Sequence, residues 1–520
     1  MRGKTKMLTM LNESSKQKAP AVSGASSAGN HGEVDLSGQP NYTALESIAQ
    51  ESVIQKQPGA NIPALSLVNI PDLPKAARLS DAEIQIAASA GEWIGAYASF
   101  AQEAFPMTPP EHHRFYGYIL AATAIARRVV WRISAESIYP NLYGLLIAPS
   151  GDSKTGGARL ASKMLRAARL HPLTLPGYMS PQGLMQELIG KQDAILPNMY
   201  TEEIRDAMQI KAAFPAQRIL MLDEASILFA WFGQAHMEGM KQFVLRLYDC
   251  PDEESETTAG RGNGIAKNIY FNLCGISTPT DMNPFFKSAA HWGNGIWSRF
   301  AFVTPTWDKP PYHCFPPALD IPAELPAHLK KLFAKLGVPK GDKPIAGKSI
   351  IVPQKVFDRW KLYDRAVRYD MVYSDQLSNR YKSNYKRFPM LAMKHAMIAA
   401  SLDWVNSKES APRVELKHLY AGMIEAELYR ASLHRLIEVP NTDGQEETLE
   451  SKVLRLLPEF SSGMVATERE IAQAVNMSGH DDRWKVTETL SQMVKDGIAV
   501  KKSVVRNVQR KNKVEGFSKA

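Results

Sequence analysis

Residues 145–160, LLIAPSGDSKTGGARL, constrain the fold more than any other stretch of the chain. An apolar run ends in a tight turn, a Lys-Thr pair follows, and a helical pattern begins. That is the order of a strand, a phosphate-binding loop and a helix. The pattern G-x-x-x-x-G-K-[ST] is met imperfectly. Ala148 stands at the first glycine and Ser153 at the last, while Gly151, Lys154 and Thr155 are in place. The chemistry suits a nucleotide phosphate. Backbone N–H groups of Ser150, Gly151, Asp152, Ser153 and Lys154 would curl around a β-phosphate. Lys154 would neutralise the β/γ oxygens, and the Thr155 hydroxyl would hold Mg²⁺. Gly156 and Gly157 would bring the first helical turn close to a nucleotide or a neighbouring strand. A chance Gly-Ser-Lys loop is the competing reading.

The downstream sequence favours the phosphate loop. About 70 residues past Lys154, RILMLDE (Arg218–Glu224) is an apolar run closed by two acids. It reads as a buried parallel strand. Asp223 would meet Mg²⁺ through water, and Glu224 would orient and deprotonate an attacking water. A strand ending in a solvated acidic pair is the bland alternative, and the order and spacing of the two motifs weigh against it. A third strand, Ile269–Ile276, ends in Ser277-Thr278-Pro279, where a polar side chain would touch a γ-phosphate. Asn272 is a weaker candidate, mid-strand. Arg299, in GNGIWSRF before the strand Ala301–Thr304, is either an arginine finger for a neighbouring subunit or a tie to an acidic patch. The residues leave the two even.

The chain has 520 residues, 44% hydrophobic and 22% charged, which suits several globular domains. A net charge of +9 suits a polyanionic partner. Three cysteines, Cys250, Cys274 and Cys314, provide no paired framework, so a reducing cytoplasm is expected. Cys314 beside His313 lacks the spacing of a zinc site. No apolar run reaches membrane-spanning length.

In order, residues 1–60 read as a disordered basic tail, and 61–140 as a helical N-terminal region with helices over Asp81–Glu103 and Glu111–Val130. His112 and His113 read as helix-start or surface residues, and Trp131–Pro140 as a connection. Residues 141–317 form the α/β core, with a strand at Asn141–Ala148, a helix at Gly157–Ala168, and a hairpin across Glu253–Lys267 with Arg261 at its Gly-rich tip. Residues 318–440 read as a helical lid, with helices Gln354–Val372 and Asn384–Trp404; Arg387 and Lys394 are candidate nucleotide-sensing cations. Residues 449–520 read as a winged helix-turn-helix: a capping box at Thr467–Glu470, a helix over 482–496, and strands Ile498–Val505 and Asn512–Phe517. Arg483, Lys485, Thr487 and Thr489 lie on its recognition helix. Lys501, Lys502, Arg506, Arg510 and Lys511 decorate its wing, for duplex DNA or, as the alternative, for protein docking.

Over about Pro109–Pro305, the NLYGLLI run, LMLDEAS, GISTP and WSRF together resemble a family of P-loop ATPases carried by phages, plasmids and genomic islands, often described as primase- or helicase-like. Its core is similar to AAA+ helicases, including the minichromosome-maintenance type. The resemblance implies an α/β P-loop NTPase of the AAA+ kind using ATP and Mg²⁺. It implies Lys154 and Thr155 for phosphate and metal, Asp223 and Glu224 for hydrolysis, Thr278 for sensing and Arg299 as finger. It further implies a homo-oligomeric ring such as a hexamer, with single-stranded DNA gripped by the hairpin around Arg261 and Lys267, and a replication partner. The chain departs from the pattern at Ser153 and lacks the primase–polymerase domain of many members. The expected function is a helicase or translocase in replication of a mobile element. The alternative is an ATP-switched regulator that binds DNA or protein without unwinding.

Overall fold

The computed structural model describes residues 70–152, 154–177, 179–190, 201–232, 234, 237, 239–258, 262–287, 292, 295–307, 319–338, 345, 347–374, 377–438, 453–454, 456–458, 465–475, 483–495, 499–507 and 512–519. Helices come first. Ser80 and Glu83 form a reciprocal cap on α1 (Asp81–Ala87). Gly91, at φ +59°, then turns the chain into α2 (Glu92–Ala104), so the single helix predicted over 81–103 is two. α3 (Pro110–Ile125) has Pro at its start and is buried along nearly its whole length. His112 and His113 are therefore core residues, not surface ones. Next, β1 (Val129–Ile133) pairs antiparallel with β2 (Glu136–Ile138), a hairpin where the sequence suggests a plain connection.

The central sheet follows. β3 (Tyr143–Ile147) leads through the loop into α4 (Lys154–Ala167). α5 (Pro181–Ile189) and α6 (Glu202–Ala213) precede β4 (Gln217–Leu222), then α7 (Ala225–Trp231) and α8 (Met240–Tyr248). β5 (Glu253–Thr258) and β6 (Gly262–Lys267) pair antiparallel as a hairpin. β7 (Tyr270–Ser277), α9 (Pro279–Lys287) and β8 (Ala301–Val303) complete the unit. The strands lie in the order β4-β7-β3-β8, and every pairing is parallel. β3, β7 and β8 are buried throughout, which explains their continuous apolar character. The molecule is thus mixed α/β with a parallel sheet and a helical majority.

α10 (Glu324–Leu336) comes next, and β9 (Lys348–Ser349) adds to β1 in parallel. α11 (Gln354–Asp364) passes into a π-helical segment, Arg365–Met371. α12 (Asn379–Tyr385) and α13 (Phe388–Trp404) are separate helices, with Pro389 in the first turn of α13. α14 (Leu416–Glu438) closes this part. One hydrophobic cluster runs from Ala77 to Leu433. A second, including Val453, Ile471, Val486 and Leu490, joins α15 (Glu468–Ala474) and α16 (Arg483–Lys495) to an antiparallel hairpin, β10 (Ala499–Asn507) and β11 (Asn512–Lys519). Among the described residues, no helix is long and apolar enough to cross a membrane, and no His/Cys/Asp/Glu group is arranged to hold a metal ion.

Buried histidines give the fold a pH dependence. Burial pushes His112 down to about 3 and His113 and His395 down to about 4. Groups depressed in this way contribute full stability above the ordinary histidine pKa and lose it as pH falls towards the folded values. Each contributes a slope of up to about 1.4 kcal/mol per pH unit. The urea midpoint should therefore fall between about pH 7 and pH 5, and His113→Gln should flatten that fall. A midpoint independent of pH over this window would contradict the burial of these rings.

Candidate functional site

The carboxyl edge of the sheet gathers the first set of residues. β3 ends at Ile147, opposite Ser277 at the end of β7, while Leu222 of β4 lies opposite Gly275. The loop after β3 and the acids after β4 therefore leave the sheet at one edge, where open parallel sheets bind ligands. Gly151 has φ +101°, a torsion that side-chain-bearing residues rarely adopt, although nothing lies within 4 Å of a Cβ built there. Helix α4 begins at Lys154, three residues before the predicted start, so Lys154 and Thr155 lie in its first turn. The leading N–H groups of such a turn have no intrahelical acceptor.

Lys154 Nζ donates to the carbonyls of Ala148 (2.6 Å) and Pro149 (2.7 Å), folding its chain back over the loop. Burial lowers its pKa, and the charges of Asp152, Glu224 and Asp281 oppose that shift. Burial conversely raises Asp152, against the pull of Lys154. Ser150 and Thr155 are exposed, and Ser153 lies outside the described residues. A Cβ on Gly156 would lie 2.5 Å from the ring of Phe105, and one on Gly157 2.9 Å from that of Tyr116. The two glycines thus bring the helix against aromatic side chains of its own chain, where the sequence suggested a nucleotide or a strand.

Glu224 caps α7. Its Oε1 accepts from Ser226 N (3.2 Å) and Oγ (2.8 Å) and from Ser277 Oγ (2.5 Å). Asp223 beside it is exposed. Thr278, favoured by sequence for the strand end, instead caps α9: its Oγ1 donates to Asp281 Oδ2 (2.6 Å) and accepts from Asp281 N (3.1 Å). β7 runs one residue further than predicted, so Ser277 is its last residue and reaches Glu224. The Thr-x-x-Asp spacing was the overlooked sign that Thr278 belonged to a helix cap. Mid-strand Asn272 is structural, accepting from Leu142 N (2.9 Å) and donating to Thr123 (3.3 Å).

Arg299, Arg387 and Lys394 gather at the opposite, amino edge. Residues including Asn141, Tyr248, Asp249, Lys386, Arg387 and Lys394 line a cavity of about 740 Å³ there. Asn141 lies two residues before β3. Lys394, buried in α13, donates to Asn141 O (3.1 Å) and Oδ1 (2.8 Å). The Tyr248 ring has Lys394 at 4.2 Å, Arg387 at 5.6 Å and Arg299 at 5.8 Å. Arg299 donates to Asp249 Oδ2 and Gly295 O, both at 3.1 Å, while its buried Nε has no partner among the described residues. Arg387 and Lys394, the candidate nucleotide-sensing cations, thus lie at the edge opposite the phosphate loop of their own chain. The start of α13 packs beside the start of β3, and the strand separates the two edges by roughly 16 Å.

The candidate nucleic-acid cations are dispersed. Lys267, exposed at the base of the β5–β6 hairpin, lies 3.7 Å from Glu253. Lys485 is exposed on α16, and Lys501 on β10 lies 3.2 Å from Glu515, with Lys502 next to it. Arg483 opens α16 and Arg506 lies in β10, placed by backbone alone. Arg261, Arg510 and Lys511 lie outside the described residues, as do His313 and Cys314.

No family model and no curated protein matches the chain. Among solved structures it is similar to that of the Aeropyrum pernix Orc1 protein in complex with DNA, at 16% identity and a TM-score of 0.21, covering 79% of this chain and 88% of that one. A TM-score of that size does not establish a common fold.

The loop offers a direct test of its geometry. Gly151→Ala should destabilise the protein by about 1–3 kcal/mol through torsional strain alone, because the space around it is open. Urea unfolding measures this. An unchanged midpoint would mean that the loop relaxes out of the φ +101° conformation.

Proposed function

We propose that the carboxyl edge of the sheet binds ATP with Mg²⁺ and hydrolyses it, in a P-loop ATPase of the AAA+ type. The observation that carries this reading is the bond from Ser277 to Glu224 (2.5 Å) on the strand between β3 and β4. It fixes a carboxylate within the electrostatic reach of Lys154. Lys154 would leave the carbonyls of Ala148 and Pro149 for the β/γ oxygens. Backbone N–H groups of 150–154 would hold the β-phosphate at the helix start. Glu224 would accept a proton from water as its oxygen attacks the γ-phosphorus, and the bond to the β-phosphate would break, releasing ADP and phosphate. Ser277 would keep that carboxylate aimed. Exposed Thr155 and Asp223 are hard oxygen donors that fit Mg²⁺, which when bound would neutralise charge on the phosphates.

Arg299 and Arg387 are too far round the sheet to serve this nucleotide. We assign them to the nucleotide of a neighbouring copy in a ring, with Arg299 exchanging its Asp249 partner for phosphate. The β5–β6 hairpin, with Lys267 and Arg261, would track single-stranded DNA. Residues 449–520 would act as a winged helix on duplex, through Arg483, Lys485, Lys501, Lys502, Arg506, Arg510 and Lys511. The activity would be that of a DNA helicase or translocase in replication of a mobile element.

Lys154→Ala should abolish ATP binding, while Glu224→Gln should retain binding and slow turnover by about a hundredfold or more. Arg299→Ala should bind ATP yet lose turnover, and mixing it with Lys154→Ala should restore part of it. Equal rates in wild type and all variants would end the ATPase reading. ATP hydrolysis without separation of a forked DNA would favour an ATP-switched regulator instead. Removing residues after Asn441 should weaken duplex binding and flatten its salt dependence by roughly 0.9 in slope per lost phosphate contact. An unchanged slope would make the C-terminal region a protein-docking module.

A further inference from the structure

The helical segment after α11 carries two tyrosines in water. Tyr369 is 62% exposed and Tyr373 66%, with ring centroids 4.9 Å apart. They sit at and just beyond the π-helical segment Arg365–Met371, a rare backbone form frequent at functional sites. Neither ring packs into the core, so core stability does not account for them.

Their surroundings are cationic. The tyrosines' own segment, residues 364–375, has Arg365 and Arg368 against three aspartates, and from Gln376 to Leu402 the sequence adds Arg380, Lys382, Lys386, Arg387 and buried Lys394 and no acid. Lys386 is exposed, with its ammonium 5.9 Å from the Tyr373 ring centre, and it also lines the amino-edge cavity. Arg368, 57% exposed, lines the same cavity, with its charge shared by Asp364 at 2.8 Å. Arg365, 77% exposed, stands on the tyrosine segment 3.7 Å from Asp370. The surface therefore combines open aromatic faces with a surplus of positive charge.

We infer that Tyr369 and Tyr373 form a base-stacking platform for single-stranded nucleic acid, with Lys386 and Arg368 holding its phosphates. Unpaired bases expose π-faces that stack on tyrosine, and a cationic border tracks the backbone. Duplex has its bases stacked inside and presents mainly phosphate here, so it gains nothing from the rings. The platform is separate from the carboxyl-edge site and does not depend on ATP hydrolysis there.

The test is fluorescence anisotropy of short oligo(dT), an abasic strand of equal length and a duplex, using the full chain without nucleotide. Tyr369→Ala/Tyr373→Ala should weaken oligo(dT) binding about tenfold or more. It should leave abasic and duplex affinities unchanged, and Tyr369→Phe/Tyr373→Phe should bind like wild type. Lys386→Glu should weaken both single strands. Photo-crosslinking of wild type to oligo(dT) should label a peptide containing Tyr369 or Tyr373, a readout that stands even if the alanine variant fails to fold. Unchanged oligo(dT) affinity in a folded alanine variant, an equal loss for the abasic strand, or crosslinks confined to other segments would overturn the proposal. So would loss of self-association in sedimentation with oligo(dT) binding intact, which would assign the tyrosines to a second copy of the chain.

Discussion

A helix buried on nearly every face needs partners inside the protein for its polar groups, and α3 draws them from several elements, although Glu111 Oε2, His112 Nδ1, His113 Nδ1, Arg114 Nη1 and Tyr116 Oη have none among the described residues. Glu111 accepts from Thr306, His112 bonds the carbonyl of Val303 at the end of β8 (3.1 Å), and His113 bonds that of Phe105 (3.2 Å). Arg114 pairs with buried Glu425 of α14. Towards its end, the carbonyl of Ala122 accepts from Tyr270 of β7, and Thr123 accepts from Asn272. Each unmatched group would cost about 1–3 kcal/mol. These bonds fix α3 against the sheet and against α14 together. The first turn of α4 then packs on it, with Gly157 against the ring of Tyr116.

The same seating separates two kinds of chemistry. At one edge, backbone amides, one lysine and several carboxylates meet. At the other, guanidinium and ammonium groups crowd a tyrosine ring with fewer acids to balance them. A strand of five residues keeps these edges apart. No side chain spans that distance, so each edge has to find its complement elsewhere. Two copies set edge to edge would satisfy both, which is the physical attraction of the ring proposed above.

Much of the parallel sheet was legible because continuous apolar runs bounded by turns leave few alternatives. LLIAPSG and RILMLDE each form a strand leaving the sheet at the same edge. The reciprocal cap at Thr467 was equally plain, since it depends only on a neighbour three residues away. What escaped was set by long-range packing. β1 and β2 are too short to alternate clearly, and β1 gains its partner β9 from more than 200 residues away. Ser277 and Thr278 differ by a single position, and only the register against Ile147 decides which one faces Glu224. Arg387 carried no sign of which end of the sheet α13 would meet.

The cluster from Ala77 to Leu433 also has a temporal meaning. Arg430 donates to Pro71 O (2.7 Å), Trp93 to Leu325 O (3.0 Å), and Arg359 lies 3.4 Å from Glu83. Contacts between segments so distant in sequence slow folding, because loop entropy is lost before the contacts are gained. On a ribosome, α3 would emerge early and keep its apolar faces uncovered until α14 had cleared the exit tunnel. During that interval the nascent chain is a substrate for chaperones and for aggregation.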